Sequence, residues 1–295
     1  MANSITSDLT ISTAVSTLQN MLAPIGNFTL NVSNNVVGRS ATVQVPVVDT
    51  ASSNGARKFT TSSGYNGNSD MAVTKCTVTV DEIIKPFHLS DNEMNQSPLS
   101  LQNYIAQNAN EFGRYLLRLI FDKLDGETAT NFAGGAVATK AAGSTAIADV
   151  KGLASKLDGA GAGMNRHLII NAAANSAVIP STGETFGLNV VESGRFSNLY
   201  GMSVNPQNAN NTASSKIHTF ACPSDAIVVV NRMPDVQGGA TLEEYTPFEV
   251  EGLGIQCAYR RYYDAALGEH YAAFTAMYGV GIAKVGQIAA LKNAA

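Results

Sequence analysis

Four histidines (His88, His167, His218, His270) and three cysteines (Cys76, Cys222, Cys257) are the residues of this chain best suited to metal binding or nucleophilic chemistry. Zinc and redox sites place such side chains at short, repeated spacings, so that two ligands share one turn or one strand end. None of these residues has a second His or Cys at that spacing. The cysteines are odd in number and far apart, which predicts reduced thiols acting as small hydrophobes. His167 opens an apolar stretch, Arg166-His167-Leu168-Ile169-Ile170-Asn171, and reads as a satisfied core residue. A Ser-His-Asp triad lacks an anchor, because no G-x-S-x-G elbow occurs. Glu243, Glu244, Glu249 and Glu251 are the densest acids. Paired carboxylates can do acid–base work, but here a solvated strand edge is the better reading.

Gly159, Gly161 and Gly163 invite a dinucleotide reading. In that motif the glycines follow a strand and open a helix, so that the helix N-terminus meets the pyrophosphate. Here the order is helix, glycines, strand, which is reversed. Gly134-Gly135 leads to Thr139-Lys140 without the spacing of a phosphate loop. Tyr259, Tyr262 and Tyr263 beside Arg260 and Arg261 could stack on bases; a cross-strand aromatic layer is the simpler reading. The sequence therefore predicts no enzyme, no cofactor and no metal.

The elements that carry these residues sit in an unusual composition. Only 14% of the 295 residues are charged and the net charge is −4, while 45% are hydrophobic. An average soluble domain has roughly 25% charged residues. Disorder requires low hydrophobicity with high net charge, and sequence-specific DNA binding requires a basic footprint. Both are excluded. No apolar run of membrane-spanning length occurs, and the first residues lack a basic and an apolar region, which argues against a secretory signal. A weakly charged polar surface favours association between copies.

Residues 1–41 are rich in Asn, Ser and Thr, with a weak helical period through Leu9, Val15, Leu18 and Leu22 before Pro24. They read as an arm that must lie on something else. Thr42–Val48 and Met71–Val80 are β-branched strands separated by two Asn-Gly pairs, the strongest short hairpin signal. Segment 42–80 is thus an extended β-hairpin, marginal alone. Ser97 and Pro98 then open a helix with apolar positions from Leu101 to Ile120, ending at Gly126. At 1.5 Å per residue it is a strut roughly 40 Å long. Residues 145–235 read as an α/β unit, with a helix at 146–157, a buried strand at 166–171, an Ala-rich helix up to Pro180, and strands near 201–204 and 226–230. Residues 242–292 hold long strands turning around Gly268.

This order of parts resembles the major capsid protein of tailed bacteriophages, the Hong Kong 97 capsid fold. The resemblance is carried by Val43-Gln44-Val45-Pro46 entering the hairpin, by Ile84–Leu89 leading to Ser90-Asp91, and by the helix Pro98–Asp125. The strand Arg166–Asn171 and Tyr262-Tyr263-Asp264 complete it. It implies an α+β fold with an N-terminal arm (1–41), an extended loop (42–80) and a peripheral domain (81–144) with spine helix 98–125. An axial domain (145–235) and the C-terminal strands of the peripheral domain (236–295) follow.

Such proteins assemble into pentamers and hexamers of an icosahedral head enclosing double-stranded DNA. The resemblance implies inter-subunit contacts by the extended loop at Arg57, Lys58, Phe59 and Tyr65. It places Asn208, Asn210 and Asn211 in a loop at capsomer centres. The implied partners are other copies of the chain, a portal and, because only about 40 residues precede the hairpin, a separate scaffolding protein. DNA contact should be weak and non-specific, since tight wrapping depends on counterion release by Lys and Arg. No membrane is implied. The expected location is the virion, after assembly in the host bacterial cytoplasm. An encapsulin-type compartment with the same fold, a tail-tube protein and a cytoplasmic hydrolase with an unrecognised site are the competing readings.

Overall fold

In the computed structural model, which describes residues 7–32, 41–48, 73–90, 101–179, 197–207, 213–235, 242–264, 266 and 269–294, the chain forms two six-stranded sheets and a two-stranded ribbon. The first sheet is organised by β13 (Glu269–Ile282). β4 (Asp81–Ser90) pairs antiparallel with it over residues 269–278. β12 (Ile255–Asp264) and β10 (Ile227–Arg232) also pair antiparallel with β13, over residues 269–275 and 277–282 respectively. A strand has two edges and β4 overlaps both partners, so β12 and β10 share the other edge end to end. Beyond them lie β11 (Leu242–Val250) on β12 and the short parallel β1 (Thr29–Asn31) on β10.

The fork where β10 and β12 meet is held by Asn231, which is fully buried. Its Nδ2 donates to the carbonyls of Gln256 (3.1 Å) and Met277 (3.0 Å), and its Oδ1 accepts from the Gln256 amide. One side chain thus satisfies backbone groups that the break in the ladder would leave unpaired.

Alternation sets the two faces of this sheet. Ala272, Phe274, Ala276 and Tyr278 of β13 enter the main core. That core is closed by α1 (Ser7–Phe28) and α2 (Leu101–Asp125). On α2, Ile105, Ala109, Phe112, Leu116, Leu117, Ile120, Phe121 and Leu124 are buried, the three- and four-residue spacing of a one-faced helix. α1 packs closely along it; a Cβ at Gly113 would lie 3.1 Å from Leu18 Cδ2.

The second sheet runs β5 (Ala138–Thr139), β14 (Ala289–Lys292), β9 (Ile217–Pro223), β6 (Arg166–Asn171), β8 (Met202–Gln207), β7 (Asn198–Leu199). Leu168 and Ile170 of β6 face a smaller core with α3 (Ile147–Gly159) and α4 (Ala172–Val178), whereas Ile169 faces the main core. The same split divides β9 and β14, so this sheet is a shared wall. Asp125 at the end of α2 ties it to the strut, its Oδ1 accepting from the Ile217 amide at 2.8 Å.

The ribbon pairs β2 (Thr42–Val48) with β3 (Val73–Thr79), from Thr42↔Thr79 to Val48↔Val73. Its base closes with Val80 N–H donating to the Ala41 carbonyl (2.8 Å).

Several elements differ from expectation. Residues 7–28 are a continuous helix that runs past Pro24 and buries Ala14, Leu18, Leu22, Ile25 and Phe28 in the chain's own core. An interior Pro costs roughly 3 kcal/mol; burying Ile25 and Phe28 beyond it, at about 1.5–3 kcal/mol each, offsets that. Ile227–Arg232, expected within the α/β unit ending at 235, is a strand of the first sheet instead, while Ile217–Pro223 and Ala289–Lys292 belong to the second. Valines on both faces of β10 let it lie between the main core and the hairpin base.

Candidate assembly surfaces

The residues with the strongest chemical potential are used structurally. His218 is fully buried, with Nε2 2.8 Å from the Lys140 carbonyl and Nδ1 2.9 Å from Thr219 Oγ1. The carbonyl can only accept, so Nε2 donates and Nδ1 accepts from the hydroxyl. His167 is buried in the second sheet, but contrary to expectation neither ring nitrogen has a hydrogen-bond partner. Burial lowers the pKa of both histidines. Cys222 and Cys257 are fully buried, and burial raises both thiols, Cys257 to about 12. Neither is a thiolate near neutral pH. Arg166 is spent on the glycine loop, donating to the carbonyls of Gly163 and Ala162 (both 2.7 Å) and to Asp158. Among the described residues no three His, Cys, Asp or Glu side chains converge on a possible metal position. No described helix is long and apolar enough to cross a membrane.

Among the described residues, two open clefts stand out. One of about 390 Å³ lies between α1, α2 and β8, lined by Asn20, Met21, Pro24, Asn110, Arg114 and Pro206 among others. It offers a single charged group and no acid–base pair. The other, about 230 Å³, separates the hairpin base from the turn after β13.

The outer face of the first sheet offers a surface rather than a pocket. His88, Tyr271 and Tyr262 stand side by side on β4, β13 and β12. Their rings stack at 5.8 Å for each neighbouring pair. Ile84, 50% exposed, lies on the same face. Arg260 pairs with Glu82 at 2.8 Å and Arg261 with Glu244 at 3.5 Å. The tyrosine and arginine run is therefore a sheet layer whose cations already have carboxylate partners, and Tyr259 turns inward to pack on Phe274 (6.0 Å).

Of the residues expected at contacts, Arg57, Lys58, Phe59 and Tyr65 of the extended loop lie outside the described residues, as do Asn208, Asn210 and Asn211. What is described is the base from which that loop departs and the residues that flank the Asn-rich segment, Gln207 at the end of β8 and Ala213 in the turn before β9. Sequence reasoning anticipated a cross-strand aromatic layer at Tyr262 but not its partners, since His88 falls in register with Tyr271 only once the pairing of β4 with β13 is known.

No protein-family model matches the chain, and no curated protein matches it in sequence. Solved structures do match. The protein of Mycobacterium phage Che8 aligns over 86% of this chain and 85% of its own at TM-score 0.57 and 14% identity. The capsid of a native GTA particle aligns over 94% and 91% at TM-score 0.56 and 17% identity. The virus-like particle of Pyrococcus furiosus aligns over 97% and 98% at TM-score 0.56 and 10% identity. Helix strut, two sheets and projecting ribbon together make this an α+β chain with the Hong Kong 97-like fold of phage capsid proteins.

Proposed function

We propose that the protein is a structural, non-enzymatic major capsid protein that assembles with copies of itself into the icosahedral head of a tailed phage. The single observation that carries this is fold likeness over almost the whole chain to solved capsid structures. The hairpin supports it. A two-stranded ribbon is marginal alone in water, and the described ribbon packs on the body through Val45, Val78 and Val80. Its tip, with Arg57, Lys58, Phe59 and Tyr65, would find its remaining contacts on a neighbouring subunit. Pentamers and hexamers would bring Asn208, Asn210 and Asn211 together at their centres. A portal and a separate scaffolding protein are the further partners, and the virion, built in the host cytoplasm, is the location. A net charge of −4 makes contact with packaged double-stranded DNA weak and non-specific.

Electron microscopy of the purified protein tests this: closed shells or capsomer rings are expected, and a stable monomer under all assembly conditions would overturn it. Deleting residues 52–69 should abolish shells while leaving a folded, soluble subunit. A second reading, an encapsulin-type compartment, is favoured by the Pyrococcus virus-like particle match. Nucleic acid inside particles purified from the native source supports the phage head; protein cargo supports the compartment.

A further inference from the structure

The chain enters β4 at Asp81, paired with Tyr278 of β13. Just before that point the hairpin base lies over β13 instead of extending its sheet. The crossing point is built from two glycines on one face, Gly279 and Gly281. A Cβ at Gly279 would lie 2.2 Å from the Thr79 carbonyl oxygen and 2.9 Å from Val78 Cγ1. A Cβ at Gly281 would lie 2.6 Å from Val78 Cγ2 and 2.7 Å from Cys76 Sγ. No side chain fits at either position without moving the ribbon. Around the pair, Val45, Val78, Val80, Val228 and Val230 form a small separate core. Stiff β-branched residues on both sides fix the seating.

We propose that Gly279 and Gly281 are positioning residues that set the seat, and hence the departure angle, of the extended hairpin. The body of the subunit does not need them to be small; the ribbon does. The consequence for assembly rests on the shell reading above; the seat itself does not.

Cys76 supplies a native reporter. It is half-buried at the seat and borders the open cleft, while Cys222 and Cys257 are fully buried. N-ethylmaleimide labelling of the unassembled subunit, read by intact mass and peptide mapping, follows seat opening. Gly281→Ala and Gly279→Ala should label Cys76 about tenfold faster or more and lose regular shells, with Cys222 and Cys257 still protected. Gly152→Ala, whose added Cβ meets nothing within 4 Å, should behave as wild type. Val78→Ala loosens the seat from the ribbon side without overpacking, and should also speed Cys76 labelling if the glycine variants fail to fold. Labelling unchanged in all three seat variants overturns the seat whether or not shells form. Faster labelling with normal shells overturns its role in assembly. A wild-type protein that never assembles removes the shell reading and leaves the labelling result standing.

Discussion

The two cores share strands and yet are made of different side chains. The main core is dominated by rings: Phe274 alone meets Phe87 at 5.3 Å, Tyr259 at 6.0 Å, Phe112 at 6.3 Å and Phe248 at 6.4 Å. The second core is lined by Ala, Val, Leu, Ile and Met and, among the described residues, holds no aromatic ring. Interlocked rings have few alternative packings and give a rigid body. Small aliphatic groups let α3 and α4 lie close on their sheet with little shape to enforce an angle. Rigidity is thus concentrated where the strut and the hairpin seat are anchored.

Four perturbations would break or sharpen that contrast. Phe274→Ala removes the hub of the main core and should cost about 3–5 kcal/mol in denaturant unfolding, enough to threaten folding outright. Leu157→Ala, in the fully buried face of α3, should cost about 3 kcal/mol. Because β6, β9 and β14 face both cores, the loss should appear in one shared transition. A separate early transition confined to the second core would show that the two cores are independent. Asn231→Ala strips the fork of its bridging amide and should cost about 2 kcal/mol, the penalty of unsatisfied backbone groups, without shifting the spectrum of the second core.

The smallest effect is one of pH. His167 and His218 both belong to the second sheet and both have pKa values held below the ordinary 6.5 by burial. The unfolded chain takes up protons there before the folded chain does. Their contribution is therefore whole above about pH 6.5 and lost as pH falls through the folded values. Thermal midpoints should fall between about pH 7.5 and about pH 5.5, and His167→Gln should flatten the slope. A slope unchanged by that substitution would place the acid sensitivity elsewhere.

Much of this arrangement is written locally. The spacing on α2, the alternation of β2 and β3, and the apolar run at 166–171 are each set by neighbours in sequence, and each was legible. Ile217–Pro223 was not. It is buried on both faces, so no alternation marks it, and its His218 and Thr219 look unsuited to a core until the Lys140 carbonyl, distant in sequence, is brought to the ring. The N-terminal helix showed only as a weak period before Pro24, and its continuation and packing were masked by that Pro and by its Ser and Thr content, because the burial that outweighs those signals comes from α2 and β11. The proposed contact residues of the loops could be reached only through resemblance, since nothing about Arg57 or Asn210 in isolation distinguishes an assembly contact from a solvated loop.

The first sheet joins β1 at residues 29–31 to β10 at 227–229, and β4 at 81–90 to β13 at 269–278. No central pair of this sheet can close until the chain has been synthesised to about residue 280. Long loops must be closed before any pairing rewards them, which makes such a sheet slow to nucleate. On the ribosome α1 and α2 emerge first, with their apolar faces waiting for a partner sheet. Under the shell function proposed above, this delay has a use: a half-made chain has no seat for its hairpin, and so cannot be drawn into a lattice before it is finished.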